Sequence, residues 1–142
     1  MKFILKLALP IGLAFLVTLI FPIDNEYYME LNRPIFAPKP IIFMIVWPIL
    51  YILMGISHYL LDGKLDFLYY AQLLLNITWS PLFFTYKMLL LSTIWLFLLL
   101  VLVMILVIAS YKIKPLIAYL NIPYLLWLIF AFILNISLLI MN

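Results

Sequence analysis

The sequence encodes an all-α membrane protein, a five-transmembrane-helix bundle, and three features say so. First, 70% of its 142 residues are hydrophobic and only 9% are charged. So few charges cannot cover a water-soluble domain of this size. Second, the apolar residues fall into five stretches of about 20, the length that spans a bilayer core as helix. Third, those stretches are too long for membrane strands and lack their alternation of apolar and polar residues. Residues 1–142 are read as a single transmembrane domain of a multi-pass integral membrane protein.

The spans follow in order. Residues 3–21 open behind Lys2 and Lys6 like a signal peptide, but the run is long and no small-residue cleavage site follows. It is read as a retained first helix. Residues 22–40 form the one long connection, holding Asp24, Glu26, Glu30, Arg33 and Lys39 together with Pro22, Pro34, Pro38 and Pro40. Long loops in tight proteins tend to be lids or binding elements, and proline limits their disorder. A lid and a plain solvated connector are both open readings. The second span is residues 41–61, between Pro40 and Asp62-Gly63-Lys64. The third is residues 67–86, the fourth 88–111 and the fifth 116–141. The fourth, with "IWLFLLLVLVMILVIA" at residues 94–109, carries almost no polar atoms and is expected to face lipid or another subunit.

Basic residues set topology. With five spans, Lys2, Lys6, Lys64, Lys112 and Lys114 share one side and Arg33, Lys39 and Lys87 the other. The N-terminus is therefore expected in the cytoplasm, with the long loop and the C-terminus outside. The chemistry is bounded by what is missing. There is no cysteine and one histidine, so thiol catalysis, disulfides and a histidine-cluster metal site are excluded within one chain. No carboxylate lies within a predicted span, which leaves paired-acid catalysis, a proton relay or an ion pump unsupported. His58, near a helix end, reads as an interfacial polar residue. The net charge of +3 suits membrane topology rather than nucleic acid.

Polar residues at membrane depth are costly and usually face a neighbouring helix or a cavity. The stretch "NITWSPLFF", residues 76–84, poses that choice. Gln72, Asn76 and Ser80 recur at helical spacing beside Trp79 and Phe83. The second span offers Phe43, Trp47, Tyr51, Met54 and His58 on one stripe. The fifth offers Trp127, Ala131, Leu134 and Asn135. Pro48, Pro81 and Pro123 fall inside or near the starts of helices and can open space between them. Spacing alone leaves two readings: interhelical glue, or a pocket walled by aromatics with a few polar groups.

Three segments carry a specific resemblance. "WPILYILMGIS" (residues 47–57), "LLLNITWSPLFF" (73–84) and "IPYLLWLIFAFILN" (122–135) resemble the signature segments of the translocator protein family, also called tryptophan-rich sensory proteins (TspO/MBR) or peripheral-type benzodiazepine receptors. "FPIDNEYYMELNRPIFAPKP" resembles that family's first loop. The resemblance covers most of the chain. It implies a five-helix membrane protein, commonly a homodimer, that binds porphyrins such as protoporphyrin IX and other flat hydrophobic ligands in a sensory, regulatory or transport role. No cofactor is required; the porphyrin is a ligand. Carried over by motif, the pocket would be walled by Tyr28 and Pro38 from the loop, by Phe43, Trp47 and Tyr51, by Asn76, Ser80 and Phe83, and by Trp127, Ala131 and Leu134. Dedicated enzymology is not expected. If the light-dependent porphyrin degradation attributed to some members occurs, Trp47 and Trp127 would carry it. A structural or partner-binding membrane subunit is a third reading. Three departures stand out. The first loop reads Pro38-Lys39-Pro40 where a double proline is expected. The third helix has Ser80 where a second amide is common. The end, "FILNISLLIMN", lacks the Tyr and basic residue of the animal sterol pattern, which favours a member of microbial type in a prokaryotic cell membrane.

Overall fold

In lipid a backbone must satisfy its own N–H and C=O groups, and this chain does so with helices and no strand. The computed structural model describes all 142 residues. Six α-helices run in the order α1 (Lys2–Ile20), α2 (Asn25–Glu30), α3 (Pro40–Leu61), α4 (Asp66–Ser80), α5 (Leu89–Ile113) and α6 (Pro115–Met141). Helices α1, α3, α5 and α6 are long and apolar enough to cross a membrane. The remaining apolar run divides. Its α-helical part ends at Ser80, and a π-helical turn, Pro81–Thr85, continues it. Pro81 supplies the cause: its ring crowds the carbonyl of Ile77 and it has no N–H to donate. The chain widens by one residue per turn, and the Tyr86 N–H bonds the Pro81 carbonyl at 2.9 Å.

The ends obey local chemistry. Helices α3 and α6 each begin with proline, whose fixed φ and missing N–H suit the first helical position. Helix α3 stops where Asp62 and Gly63 take left-handed backbone, Gly63 at φ 85°. Glycine carries that conformation at no steric cost.

The five long segments pack as a ring, α1 against α3, α3 against α6, α6 against α5, α5 against α4, and α4 back on α1. One contact depends on a missing side chain. A Cβ on Gly55 would lie 2.6 Å from the Leu7 Cα, so only glycine lets α1 approach α3 this closely. That approach also corrects the reading of His58. It is 1% exposed, its ring stacked on Tyr69 at 3.9 Å between centroids, with Lys6 donating to its carbonyl. The α1 N-terminal half and the start of α4 close over a position that one helix taken alone places at the interface.

Helix α5 keeps the outward face expected of it, with Ile94, Phe97, Val101, Met104 and Ile108 exposed, but it also has an inward one. It buries Ser92, Leu96, Leu99, Val103, Leu106 and Ser110, a stripe at spacings of three and four. Asn135 on α6 donates to Ser92 and Thr93, and Trp95 donates to Thr78 on α4 at 2.9 Å. Between Ser92 and Ser110 this face is leucine and valine, which offer no polarity contrast in lipid, so hydropathy alone did not mark it.

Helices α3 and α6 run antiparallel. Asn121 bonds Ser57 near one end, and Trp127 meets Phe43 near the other. Helix α6 continues for about four further turns, whereas α3 has begun only at Pro40. Residues 22–39 occupy the space this leaves.

Candidate ligand site: an aromatic cluster beneath the first loop

The loop is packed rather than free. Asp24 caps α2, its carboxylate accepting the Tyr27 N–H at 2.9 Å, a favoured N-cap arrangement. That bond, aided by nearby Lys87, holds the Asp24 carboxyl below its usual range. Tyr28 turns inward and is buried with Phe83, Leu134 and Leu138. Its hydroxyl donates to the Pro38 carbonyl at 2.8 Å, which ties the two halves of the loop together. Burial pushes the Tyr28 phenol up from its ordinary pKa. The far end is clasped: the Asn32 N–H donates to the Asn142 side chain, and that side chain donates back to the Asn32 carbonyl, both at 2.9 Å.

Below the loop the aromatics are contiguous. Tyr28 meets Phe43 edge-on at 5.5 Å between ring centroids. Phe43 meets Trp127 at 5.8 Å, Trp127 meets Trp47 at 6.4 Å and at right angles, and Trp47 stacks on Tyr51 at 5.7 Å. These are the offset and edge-to-face geometries that aromatic quadrupoles prefer.

A polar line forms the floor. Tyr51 donates to the Asn76 carbonyl oxygen at 2.9 Å. The Asn76 amide donates to the Tyr124 hydroxyl at 2.8 Å, and Tyr124 donates to Gln72 at 2.8 Å. Apart from the Gln72 amide nitrogen, which is buried without a partner, these four groups on α3, α4 and α6 satisfy one another. Two indole donors beside them do not: Trp79 Nε1 and Trp127 Nε1 are buried without a hydrogen-bond partner. Buried polar groups are normally paired, so these two N–H groups are available to an acceptor entering the site.

Between these walls lies a cavity of about 10 Å³, lined by Trp47, Asn76, Trp79, Leu96, Leu99 and Ala131. That is at the lower edge of what one water requires. A flat ligand therefore enters only if the aromatic walls part. A larger open depression lies at the opposite end of the bundle, beside Lys2, Tyr59 and Asp62, away from every residue of the aromatic cluster.

The eleven residues expected at the site divide by level. Trp47, Asn76 and Ala131 line the cavity, Tyr51 and Trp127 touch those walls, and Phe43 packs on Trp127. Tyr28, Phe83 and Leu134 form a second buried cluster above, with Pro38 tied to Tyr28. Phe43 joins the two levels, as does Trp79, stacked on Phe83 at 5.2 Å. Ser80 is half-buried and is not part of the cavity lining. Sequence reasoning did not place Tyr124, Leu96 or Leu99 at the site. Tyr124 lies three residues before Trp127, a helical neighbour whose spacing was a usable signal; the leucines had none.

The chain has known relatives by sequence. The profile of the TspO/MBR family matches residues 6–141. The chain is 32% identical over 155 aligned positions to the "Tryptophan-rich protein TspO" of Chlorobaculum tepidum, covering 99% of this chain and 98% of that one. It is 33% identical over 120 residues to the human "Translocator protein", covering 78% and 71%. It is 30% identical over 131 residues to the "Uncharacterized membrane protein YtaB" of Bacillus subtilis, covering 87% and 84%.

Proposed function

Because this multi-pass membrane protein belongs to the TspO/MBR family, we propose that it binds porphyrins, protoporphyrin IX and haem-like tetrapyrroles among them, and other flat hydrophobic molecules, in a sensory, regulatory or transport role. The observation that carries the reading is the contiguous aromatic wall of Phe43, Trp127, Trp47 and Tyr51 beside two unpartnered indole donors. A tetrapyrrole offers a broad face to such walls and carboxylates to such donors. The closed cavity makes opening part of the proposal: residues 22–40 act as a lid, and Phe43, Trp47 and Trp127 separate to admit the ring.

The finer architecture belongs to the same reading. Asp66–Ser80 and the π turn Pro81–Thr85 form one continuous helical path of about 30 Å at 1.5 Å per residue, and this supplies the fifth crossing. The N-terminus lies in the cytoplasm, the protein works as a homodimer, and Tyr28, Pro38, Ser80, Phe83 and Leu134 complete the site once the lid lifts.

Spectral titration of the detergent-purified protein with protoporphyrin IX and with haem tests the reading. Saturable binding is expected; an absorbance change linear in ligand, as for partition into micelles, would remove it. A second reading draws on the contact between Trp47 and Trp127. An excited porphyrin there would touch two oxidisable indoles, so light-dependent degradation of the ligand is the alternative. Dark, anaerobic incubation separates the two, since binding persists and degradation stops.

A further inference from the structure

The route into the site is written in the descent of the first loop. Asn32 is fastened to Met141 and Asn142 at the end of α6. Four residues later the Phe36 ring lies 6.3 Å from that of Phe130. Phe130 sits three turns before Met141, about 16 Å back along the axis. Four extended residues reach at most about 14 Å, so the chain from Asn32 to Phe36 runs down the flank of α6 toward its middle. It turns there, the Ala37 N–H bonding the Pro34 carbonyl at 3.0 Å, and α3 begins at Pro40.

The tip of this descent is Ile35-Phe36. Ile35 is fully exposed and Phe36 is 45% exposed. Ile41 and Ile42 at the start of α3, and Ile133 one turn beyond Phe130 on α6, are exposed apolar side chains as well. No charge lies between Arg33 and Lys39, and both are long enough to reach a headgroup from below. From the tip an aromatic series leads inward: Phe36 to Phe130, Phe130 to Trp127 at 5.2 Å, and Trp127 to Trp47 at the cavity wall.

We propose that Ile35 and Phe36 are immersed in the acyl chains of the bilayer, and that the seam between this tip and α6 is the doorway through which hydrophobic ligands pass sideways from lipid to the cavity. Irregular backbone at membrane depth is tolerated where it is packed on protein or lines a cavity, and this segment is packed on α6. The doorway rests on the ligand-binding reading; the immersion of the tip does not.

The chain has no cysteine, so single labels are clean. Nitroxides at Ile35→Cys, Ile133→Cys and Asn25→Cys are compared in liposomes by collision with oxygen, which partitions into lipid, and with a water-soluble nickel chelate. Position 35 should match position 133. A label at 35 as open to the chelate as one at 25 overturns the proposal. Phe36→Cys/Phe130→Cys is then joined by a short reducible cross-linker. Uptake of protoporphyrin IX from liposomes should slow by about tenfold or more and recover on reduction. An unchanged rate with the cross-link formed overturns the doorway. Should the uncross-linked protein bind no porphyrin, the ligand-binding reading falls, and the collision measurement still decides where the tip lies.

Discussion

Asn76 links its own helix, α4, to both α3 and α6. Its carbonyl oxygen accepts from Tyr51 and its amide donates to Tyr124, so the amide is already spent on its neighbours. Polar pairs in membranes average about 0.6 kcal/mol each, and losing two predicts that Asn76→Leu costs about 1 kcal/mol of stability. Thermal unfolding in detergent should show a lower midpoint; a raised one would mean the polar line is a burden without ligand. The loop has its own titration. The Asp24 pKa is depressed by the bond from the Tyr27 N–H and by Lys87. A depressed pKa stabilises the fold above the unfolded value, near 3.8, and that contribution is lost as pH falls through the lower folded value. A spin label at Asn25→Cys should therefore gain mobility on acidification through that window. Asp24→Asn, an equally good cap, should remove the response. A response that survives Asp24→Asn would assign it to another group.

At the level of elements, α1 packs closely on α3, and Gly55 permits it. The methyl of Gly55→Ala would meet the Leu7 backbone at 2.6 Å, where no side chain can swing aside. Overpacking of this kind costs about 1–3 kcal/mol, and Gly55→Ala should melt earlier while Gly12→Ala, with open space around its added Cβ, should not. Equal melting of the two variants would show that α1 can shift freely. Helix positions themselves were legible in the sequence because apolar runs end at charges, prolines and glycine. Span 41–61 is α3 to within one residue, Pro40–Leu61. The inward stripes of α3 and α6 were legible because aromatics and amides mark them. What stayed hidden was the inward face of α5, whose Leu96 and Leu99 differ in nothing from its lipid-facing leucines, and the burial of His58, which depends on α1 crossing through Gly55. The π turn was foreshadowed by Pro81, but a proline kink and a π turn look alike in sequence.

The whole molecule has two unlike ends. One gathers the loop, the π turn and the end of α6, joined through Asn32 and Asn142; the other holds the α3–α4 turn near Lys64. Single cysteines at Asn25 and Asn142 should react with an impermeant thiol reagent from one side of sealed vesicles, and a cysteine at Lys64 from the other. Labelling of positions 25 and 64 from the same side would contradict five crossings. Trp95 now serves as a sharper control than its lipid-facing expectation allowed. It ties α5 to α4 through Thr78 but does not line the cavity, so Trp95→Phe should cost stability and leave ligand affinity in place. The most direct measurement is protoporphyrin IX affinity, by spectral titration in the dark, of the native protein, Trp127→Ala and Trp95→Phe. Removing an aromatic wall forfeits stacking and burial together, so Trp127→Ala should bind about tenfold more weakly or worse, a loss of about 1.4 kcal/mol or more, with Trp95→Phe near native. Affinity lost in Trp95→Phe and kept in Trp127→Ala would place the ligand elsewhere than between α3, α4, α5 and α6.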